Sequence, residues 1–219
     1  MGAYMINYLP LLIQGTQVTL LAWICAALGS LTIGLILGIA SCNRLTTLPL
    51  KASIRFYTFI AKGIPVYVQI LIAYFLIPAL LHINVPGIIA ACGALIFCSS
   101  GYVTEIIRGS LNSVPQGQWD ACQVLGYSHR NLLQRIILPQ ALKIALPSLF
   151  GELEQLLKST SLFAAIGVTE LTRTGLNIIS RELNPVPVYL TIAAIYLILS
   201  AILHFIAIYW EKRLNYGQR

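Results

Sequence analysis

Charged residues are scarce in this chain: Asp, Glu, Lys and Arg make up 10% of its 219 residues. A soluble domain carries roughly 25% charged residues, so this sequence cannot cover a water-facing surface. The shortage excludes a soluble enzyme, a disordered tail and a nucleic-acid-binding module. Hydrophobic residues supply 58% of the chain, and the mean hydropathy of +0.80 is typical of a helical protein that crosses a membrane several times.

Several site signatures are missing as well. The five cysteines show no C-x-x-C spacing and no histidine pair has ligand spacing, so we expect inert thiols covered by lipid or by protein, and no metal site. No Gly-Lys dipeptide occurs, which excludes a phosphate-binding loop of the G-x-x-x-x-G-K-[ST] type. The G-x-S-x-G turn of hydrolases is also absent. We therefore expect no catalytic residue and no cofactor in this chain.

Long uncharged runs are the main feature that the sequence does have. They cover residues 1–43, 63–104 and 183–210, and a membrane-spanning helix needs about 20 apolar residues. Pro78, His82, Asn84 and Pro86 divide the second run into two spans. We predict an all-α, polytopic membrane protein with a single domain over residues 1–219. Its five predicted spans are about 12–40, 56–78, 86–107, 144–168 and 187–210.

The basic residues orient these spans. With the N-terminus outside, eleven of the 14 Lys and Arg residues fall on the inner side and three on the outer side. The inner set is Arg44, Lys51, Arg55, Lys62, Arg108, Arg130, Arg135, Lys143, Lys212, Arg213 and Arg219, and the outer set is Lys158, Arg173 and Arg181. Because cytoplasmic loops carry the excess of Lys and Arg, we predict an outside N-terminus and a cytoplasmic C-terminus.

Small residues recur every four positions in the first span, at Ser30, Gly34 and Gly38. This spacing lets two helices approach closely. The partner helix can belong to this chain or to a second subunit, and the sequence leaves both open.

A patterned loop lies between the third and fourth spans, at residues 115–139. We predict a short helix around Trp119, an interruption at Gly126, and a second helix from about Ser128, which stops at Leu138 and Pro139. Two interpretations stay open. Trp119, Leu125 and Leu132 or Leu133 can contact a partner, or the helix pair can lie on the membrane with Arg130 and Arg135 at the head groups.

This loop resembles the EAA loop of ABC importer permeases, whose pattern is Glu-Ala-Ala, three residues, Gly, about nine residues and Ile-x-Leu-Pro. The chain has Asp120-Ala121-Cys122, then Gly126, then Ile136-Ile137-Leu138-Pro139. The segments KGIPVYVQILIAYFLIP, YVTEIIRGSLNSVPQGQWDACQVLG, LLKSTSL and GVTELTRTG are similar to the polar amino acid subfamily. Asp120 and Cys122 depart from the family's Glu and Ala but keep the charge and the small size.

The resemblance implies an amino acid importer subunit in the bacterial cytoplasmic (inner) membrane. Its expected partners are a cytoplasmic ABC ATPase dimer that holds ATP and magnesium, a second permease copy or sister permease, an extracytoplasmic amino-acid-binding protein and the lipid bilayer, with no nucleic acid. The loop then acts as a coupling helix on the ATPase. Its coupling residues are Trp119, Asp120, Ala121, Cys122, Leu125, Gly126, Leu138 and Pro139.

Polar residues in the fourth span mark a candidate substrate path, because intramembrane charges usually face a cavity or the bundle interior. The candidates are Glu105, Glu152, Glu154, Gln155, Lys158, Thr160 and Ser161. A site with both charge signs suits a zwitterionic amino acid. Glu154 favours arginine, lysine, histidine or ornithine if it faces the path, whereas the ELTRTG segment resembles glutamine permeases. Alternatively, Glu154 and Lys158 simply neutralise each other.

Other charges permit two interpretations each. Glu105 and Arg108 form either a local ion pair or part of a cytoplasmic gate. Glu170 and Arg173 are either solvated or in contact with the binding protein. The same two interpretations apply to Arg181 and Glu182. The rival function is a secondary transporter driven by an ion gradient, with Glu152 and Glu154 as ion sites.

Overall fold

The computed structural model describes residues 3–42 and 47–215, and within those ranges every regular element is helical. This confirms the predicted all-α class. A helix satisfies its backbone polar groups internally, as a membrane-embedded segment must. The elements are α1 (Ala3–Ala40), α2 (Leu48–Gly63), α3 (Val66–Leu71, Ile72–Leu76 and Ile77–Leu81), α4 (Gly87–Ser113), α5 (Gln116–Val124), α6 (His129–Leu132, Leu133–Ile137 and Leu138–Ser159), a 3₁₀ segment (Thr160–Ile166), α7 (Leu171–Glu182) and α8 (Pro185–Asn215).

Four of the helices in the described ranges are long and apolar enough to cross a membrane, and α2 with α3 makes a fifth if that bent pair is one span. These helices overlap the five stretches in which the sequence predicts spans. The boundaries of the spans and the orientation of the termini stay predictions.

A bend of 98° separates α2 from α3, where the sequence predicts one span over residues 56–78. Pro65 lacks a backbone N–H, and its ring pushes the preceding Ile64 into an extended conformation with φ −93° and ψ 129°. The Gln69 side chain crosses the bend, because its amide donates to the carbonyl oxygens of Ala61 at 2.8 Å and Ile64 at 2.7 Å. The bend is therefore a bonded, well-defined feature of the fold.

Pro78 does not break its helix, although the sequence favours a break there. A π-helical turn, Ile72–Leu76, precedes the proline, and the Ile77 amide donates to the Ile72 carbonyl five residues earlier. The wider turn moves the carbonyl that the proline ring would otherwise strike. The helix continues to Leu81 and ends at His82, whose φ is 53°.

The prediction that Leu138 and Pro139 end the loop's second helix is also wrong, and a π-helical turn is again the reason. A π-helical turn, Leu133–Ile137, precedes Pro139, and the Leu138 amide donates to the Leu133 carbonyl. The chain therefore stays helical from the loop to Ser159. The loop and the fourth predicted span share one helix instead of being separated by a proline stop.

The small residues of α1 pack against α4 of the same chain. A Cβ atom added at Gly34 would lie 2.4 Å from the Val103 side chain, and one added at Gly38 would lie 2.6 Å from Ile107. Glycine at these positions is what lets the two backbones approach. For these two glycines, the structure places the packing partner within the chain.

Candidate functional site

A cavity of about 310 Å³ lies beside the bend between α2 and α3, with α4 and α6 as its other walls. Its walls are partly apolar, with Leu95 and Leu156 among the lining residues. Polar side chains line the remainder: Lys62, Ser99, Tyr102, Glu152, Gln155 and Ser159. Protein cavities that hold small molecules measure roughly 300–1,000 Å³, so this space suits one small polar molecule. We refer to it as the upper cavity.

Two of the predicted path residues, Glu152 and Gln155, line the upper cavity. They share a face of α6 with Ser159, because residues three and four apart lie on the same side of a helix. Ser99 of α4 donates a hydrogen bond to Glu152 Oε1 at 2.7 Å. This bond holds the carboxylate at the cavity wall and joins the two helices.

Glu154 and Lys158 are not among the residues that line the upper cavity. The Lys158 ammonium donates to Glu154 Oε1 at 2.7 Å, in the favourable i, i+4 arrangement. The Glu154 side chain is 30% exposed and the Lys158 side chain is 52% exposed, so the pair lies at the surface of this chain. The structure thus contains the mutual neutralisation that the sequence offered as the alternative interpretation.

Thr160 and Ser161 bond to their own helix. The Thr160 hydroxyl is buried and donates to the Leu157 carbonyl at 2.7 Å. The Ser161 hydroxyl donates to the Lys158 carbonyl at 2.8 Å. Neither lines the upper cavity, and both hydroxyls help to satisfy the carbonyls where α6 tightens into the 3₁₀ segment.

Glu105 lies in a second, more basic cavity of about 480 Å³ between α2 and α4, which we call the lower cavity. Arg108 donates to Glu105 Oε2 at 2.5 Å, and Thr58 of α2 lies 3.4 Å from Glu105 Oε1. Arg55 and Lys62 line the same space. Glu105 and Arg108 therefore form the predicted ion pair, within a cluster that holds three cations and one carboxylate.

The residues that α2 and α4 contribute to the upper cavity were not among those predicted from the sequence. In the sequence, Lys62 was assigned to the inner side and to the family-like segment KGIPVYVQILIAYFLIP, and Ser99 and Tyr102 lay in an uncharged run. Their signal was the position of Lys62 directly before the Gly-Ile-Pro bend and the paired serines Ser99 and Ser100 within an apolar helix. The bend turns the end of α2 toward α4, where the Lys62 ammonium lies 5.4 Å from the centroid of the Tyr102 ring.

The first helix of the loop, α5, packs into the protein on one side. Trp119 and Cys122 are 3% and 4% exposed and lie in a cluster with Leu111 and Ile137. Leu132, from the second helix, is buried in the same cluster. The expectation that Trp119 and Leu132 contact a partner is therefore wrong, because both side chains are covered by their own chain.

The opposite side of α5 carries the exposed residues of the loop. Val124 is 86% and Leu125 is 73% exposed, and the chain then turns at Gly126, whose φ is +74°. The Tyr127 amide donates a hydrogen bond to the Cys122 carbonyl at 3.0 Å and so closes this turn. Two apolar side chains thus project where α5 ends in a hydrogen-bonded turn, and we call Val124 and Leu125 the loop tip. Asp120 is also exposed, and its carboxylate accepts from the Gln116 side chain at 2.7 Å.

Glu170 is fully buried, which corrects the expectation of a solvated or partner-facing charge. Its carboxylate caps α7 by accepting from the amides of Thr172 and Arg173, each at 2.8 Å. The Tyr196 hydroxyl of α8 donates to the same group at 3.2 Å. Burial raises the pKa of the Glu170 carboxyl, and these donors oppose that rise. The side chain therefore fastens α7 to α8.

Residues 30–216 match the family of binding-protein-dependent transport system inner membrane components. The glutamine transport system permease protein GlnP of Escherichia coli K12 is 32% identical over 214 residues, which cover 94% of each chain. A GlnP-named protein of Rickettsia conorii is 34% identical over 217 residues, 98% of this chain and 99% of its own.

Among solved structures, the fold is similar to an amino acid ABC transporter crystallised with histidines. The TM-score is 0.88 at 31% identity, and the match covers 96% of this chain and 97% of the other. The resemblance to ABC importer permeases of the polar amino acid type is thereby confirmed. The chain therefore belongs to the family of binding-protein-dependent transport system inner membrane components, as a permease of the ABC importer type.

Proposed function

We propose that this chain is the permease subunit of an ATP-driven importer that carries glutamine, or a related polar amino acid, across the bacterial inner membrane. The observation that carries the proposal is the full-length similarity to the glutamine permease of Escherichia coli K12, at 32% identity over 94% of both chains. The upper cavity supports it, since its walls offer charges of both signs to a zwitterion.

The arrangement of charges favours glutamine over a basic amino acid. A surplus carboxylate at Glu154 was the feature that suggested arginine, lysine, histidine or ornithine, but Lys158 pairs with that carboxylate at 2.7 Å. The upper cavity is lined by one carboxylate, Glu152, and one ammonium, Lys62. This balance suits a substrate whose own charges sum to zero and whose side chain is polar.

The loop tip is the part of the chain that we assign to the ATPase. Exposed apolar side chains at a hydrogen-bonded turn suit a groove on a partner protein. Trp119 and Cys122 support the tip from its buried side rather than touch the partner, and Leu138 and Pro139 lie within α6, the helix that follows the tip. Asp120, Ala121, Leu125 and Gly126 remain the candidate contact residues, with Val124 added to them.

Energy transfer then follows from the continuity of α6. ATP closes the partner ATPase dimer, the two loops move with it, and the helix bundles open outward to accept the substrate from the binding protein. Because α6 runs from the loop to the wall of the upper cavity, a displacement of the tip passes through the turn at Gly126 into α6 and reaches Glu152 along that helix. Hydrolysis returns the bundle to the inward-facing state. Two permeases, identical or paired with a sister, complete the path.

Uptake by the purified complex in proteoliposomes tests this function. With ATP supplied to the ATPase side and the binding protein on the other side, we expect labelled L-glutamine to accumulate and to be displaced by unlabelled glutamine better than by arginine. A protonophore should leave the uptake unchanged. Uptake that stops with the protonophore and ignores ATP would instead establish the secondary transporter.

A further inference from the structure

We propose that Lys62 is the specificity-determining residue that holds the α-carboxylate of the substrate and then passes it to Arg55 and Arg108. This inference rests on the proposed function. It concerns one group of the substrate and one side chain that lies between two cavities.

Lys62 is the residue common to the two cavities: it lines both the upper and the lower one. It lies in the last turn of α2, directly before the bend, and its side chain is exposed. Its ammonium lies 5.4 Å from the centroid of the Tyr102 ring. In the described ranges, no carboxylate oxygen lies within 4.0 Å of that ammonium. A weakly engaged cation on a long, flexible side chain is suited to a passing anion.

The upper cavity provides a complementary group on a different wall. Glu152 projects from α6 and is fixed by Ser99, whereas Lys62 projects from α2. The α-carboxylate and α-ammonium of an amino acid differ in sign and are separated by one carbon atom. A substrate that places its carboxylate at Lys62 and turns its ammonium toward Glu152 satisfies both walls, and a molecule that lacks either group does not.

The lower cavity continues the positive charge in the direction of the loop. Arg55 and Arg108 join Lys62 there, and Glu105 is the one carboxylate in the lining. Glu105 already accepts from Arg108 at 2.5 Å. The Arg108 Nε atom is buried and has no hydrogen-bond partner in the described part of the chain. A carboxylate that leaves Lys62 therefore meets a second group of donors with a net positive charge.

A purely structural role for Lys62 makes a different prediction. A lysine in the last turn of a helix interacts favourably with the helix dipole, and the Lys62 ammonium lies 5.4 Å from the Tyr102 ring centroid. Loss of such a role would weaken the fold and would affect every ligand equally. The carboxylate role affects only ligands that carry a carboxylate, and the two roles separate in a competition measurement.

The test uses the permease–ATPase complex in detergent without the binding protein, so that selection by that protein does not interfere. Displacement of labelled L-glutamine is measured with unlabelled L-glutamine and with 4-aminobutanamide, which is glutamine without its α-carboxylate. For Lys62→Gln we expect glutamine to bind about tenfold or more weakly, since a hydrogen bond to a charged group is lost. Binding of 4-aminobutanamide should stay within about twofold of the wild type.

Two control variants complete the design. Lys62→Arg keeps the charge and should retain most of the glutamine affinity, whereas Lys143→Gln removes an exposed positive charge outside both cavities and should change nothing. Unchanged glutamine binding in Lys62→Gln, or an equal loss for both ligands, would overturn the role of Lys62 and leave the importer standing. A wild-type complex that binds neither glutamine nor arginine would overturn the proposed function as well.

Discussion

Ser99 on α4 donates a 2.7 Å hydrogen bond to Glu152 on α6, and both residues line the upper cavity. The bond crosses from one helix to another at the point where the walls must hold a substrate. It holds the carboxylate of Glu152 at the wall of a cavity that Lys62 also lines.

Glu152→Gln should lower glutamine uptake by roughly tenfold, because the amide cannot pair with the substrate's ammonium as a carboxylate does. Glu154→Gln serves as the matched control on the same helix, two residues away. Since Glu154 forms an exposed i, i+4 pair with Lys158, its loss should change uptake by less than about twofold. Initial rates in proteoliposomes measure both, and equal effects of the two variants would argue against the assigned cavity.

The contact between α1 and α4 gives a stability prediction. Gly34→Ala places a Cβ atom 2.4 Å from Val103, so the helices must separate, and overpacking of this kind costs about 1–3 kcal/mol. Gly93→Ala, on α4, meets nothing within 4 Å and gains helix propensity. Thermal unfolding in detergent should show a lower midpoint for Gly34→Ala only. Equal midpoints for the two variants would contradict the packing described for α1.

The loop tip gives a coupling prediction. Val124→Asp puts a charge on a side chain that is 86% exposed, so the permease should fold normally. If the tip enters an apolar groove, the ATPase should co-purify at least tenfold less efficiently and its stimulation should fall with it, as at an interface hot spot. Full retention of the ATPase by this variant would show that the tip is not the contact.

Trp119→Ala tests the buried side of α5, as Val124→Asp tests its exposed side. Removal of this side chain, which is 3% exposed, leaves a cavity among Leu111 and Ile137 and should cost about 3–5 kcal/mol of stability. The expected result is a lower unfolding midpoint for Trp119→Ala and an unchanged one for Val124→Asp. A lower midpoint for Val124→Asp with an unchanged midpoint for Trp119→Ala would show that Val124, not Trp119, packs inside the protein.

Glu170 gives a prediction about the cap of α7. Glu170→Ala leaves the Thr172 and Arg173 amides without their acceptor and should cost about 0.5–2 kcal/mol, the usual range for a lost helix cap. Arg181→Ala, an exposed residue of the same helix, should have little effect. The two unfolding midpoints in detergent decide between a cap and a surface charge.

The apolar runs and the small-residue spacing were enough to predict the helical class and the close packing of α1. Both depend on local composition and on spacing along a single helix. The glycines specified a close approach but not its partner, since Val103 lies far along the chain from Gly34. Sequence periodicity does not contain that information.

The candidate site was only partly predictable for the same reason. Glu152 and Gln155 were found because both stand in one polar segment, whereas Lys62 joins them through a 98° bend that depends on Pro65. The burial of Trp119 depends on neighbours from α4 and α6. An aromatic residue on a short helix looks the same in sequence whether it faces a partner or its own protein.

The π-helical turn before Pro139 sets the rotational phase of everything that follows it in α6. Each residue added to or removed from an α-helix rotates the downstream side chains by roughly 100° about the axis. The inserted residue at Leu133–Ile137 therefore determines that Glu152, about four turns later, points at Ser99 rather than at another neighbour. Deletion of one residue from this turn would keep Glu152, Gln155 and Ser159 in the chain but would rotate their side chains away from the upper cavity.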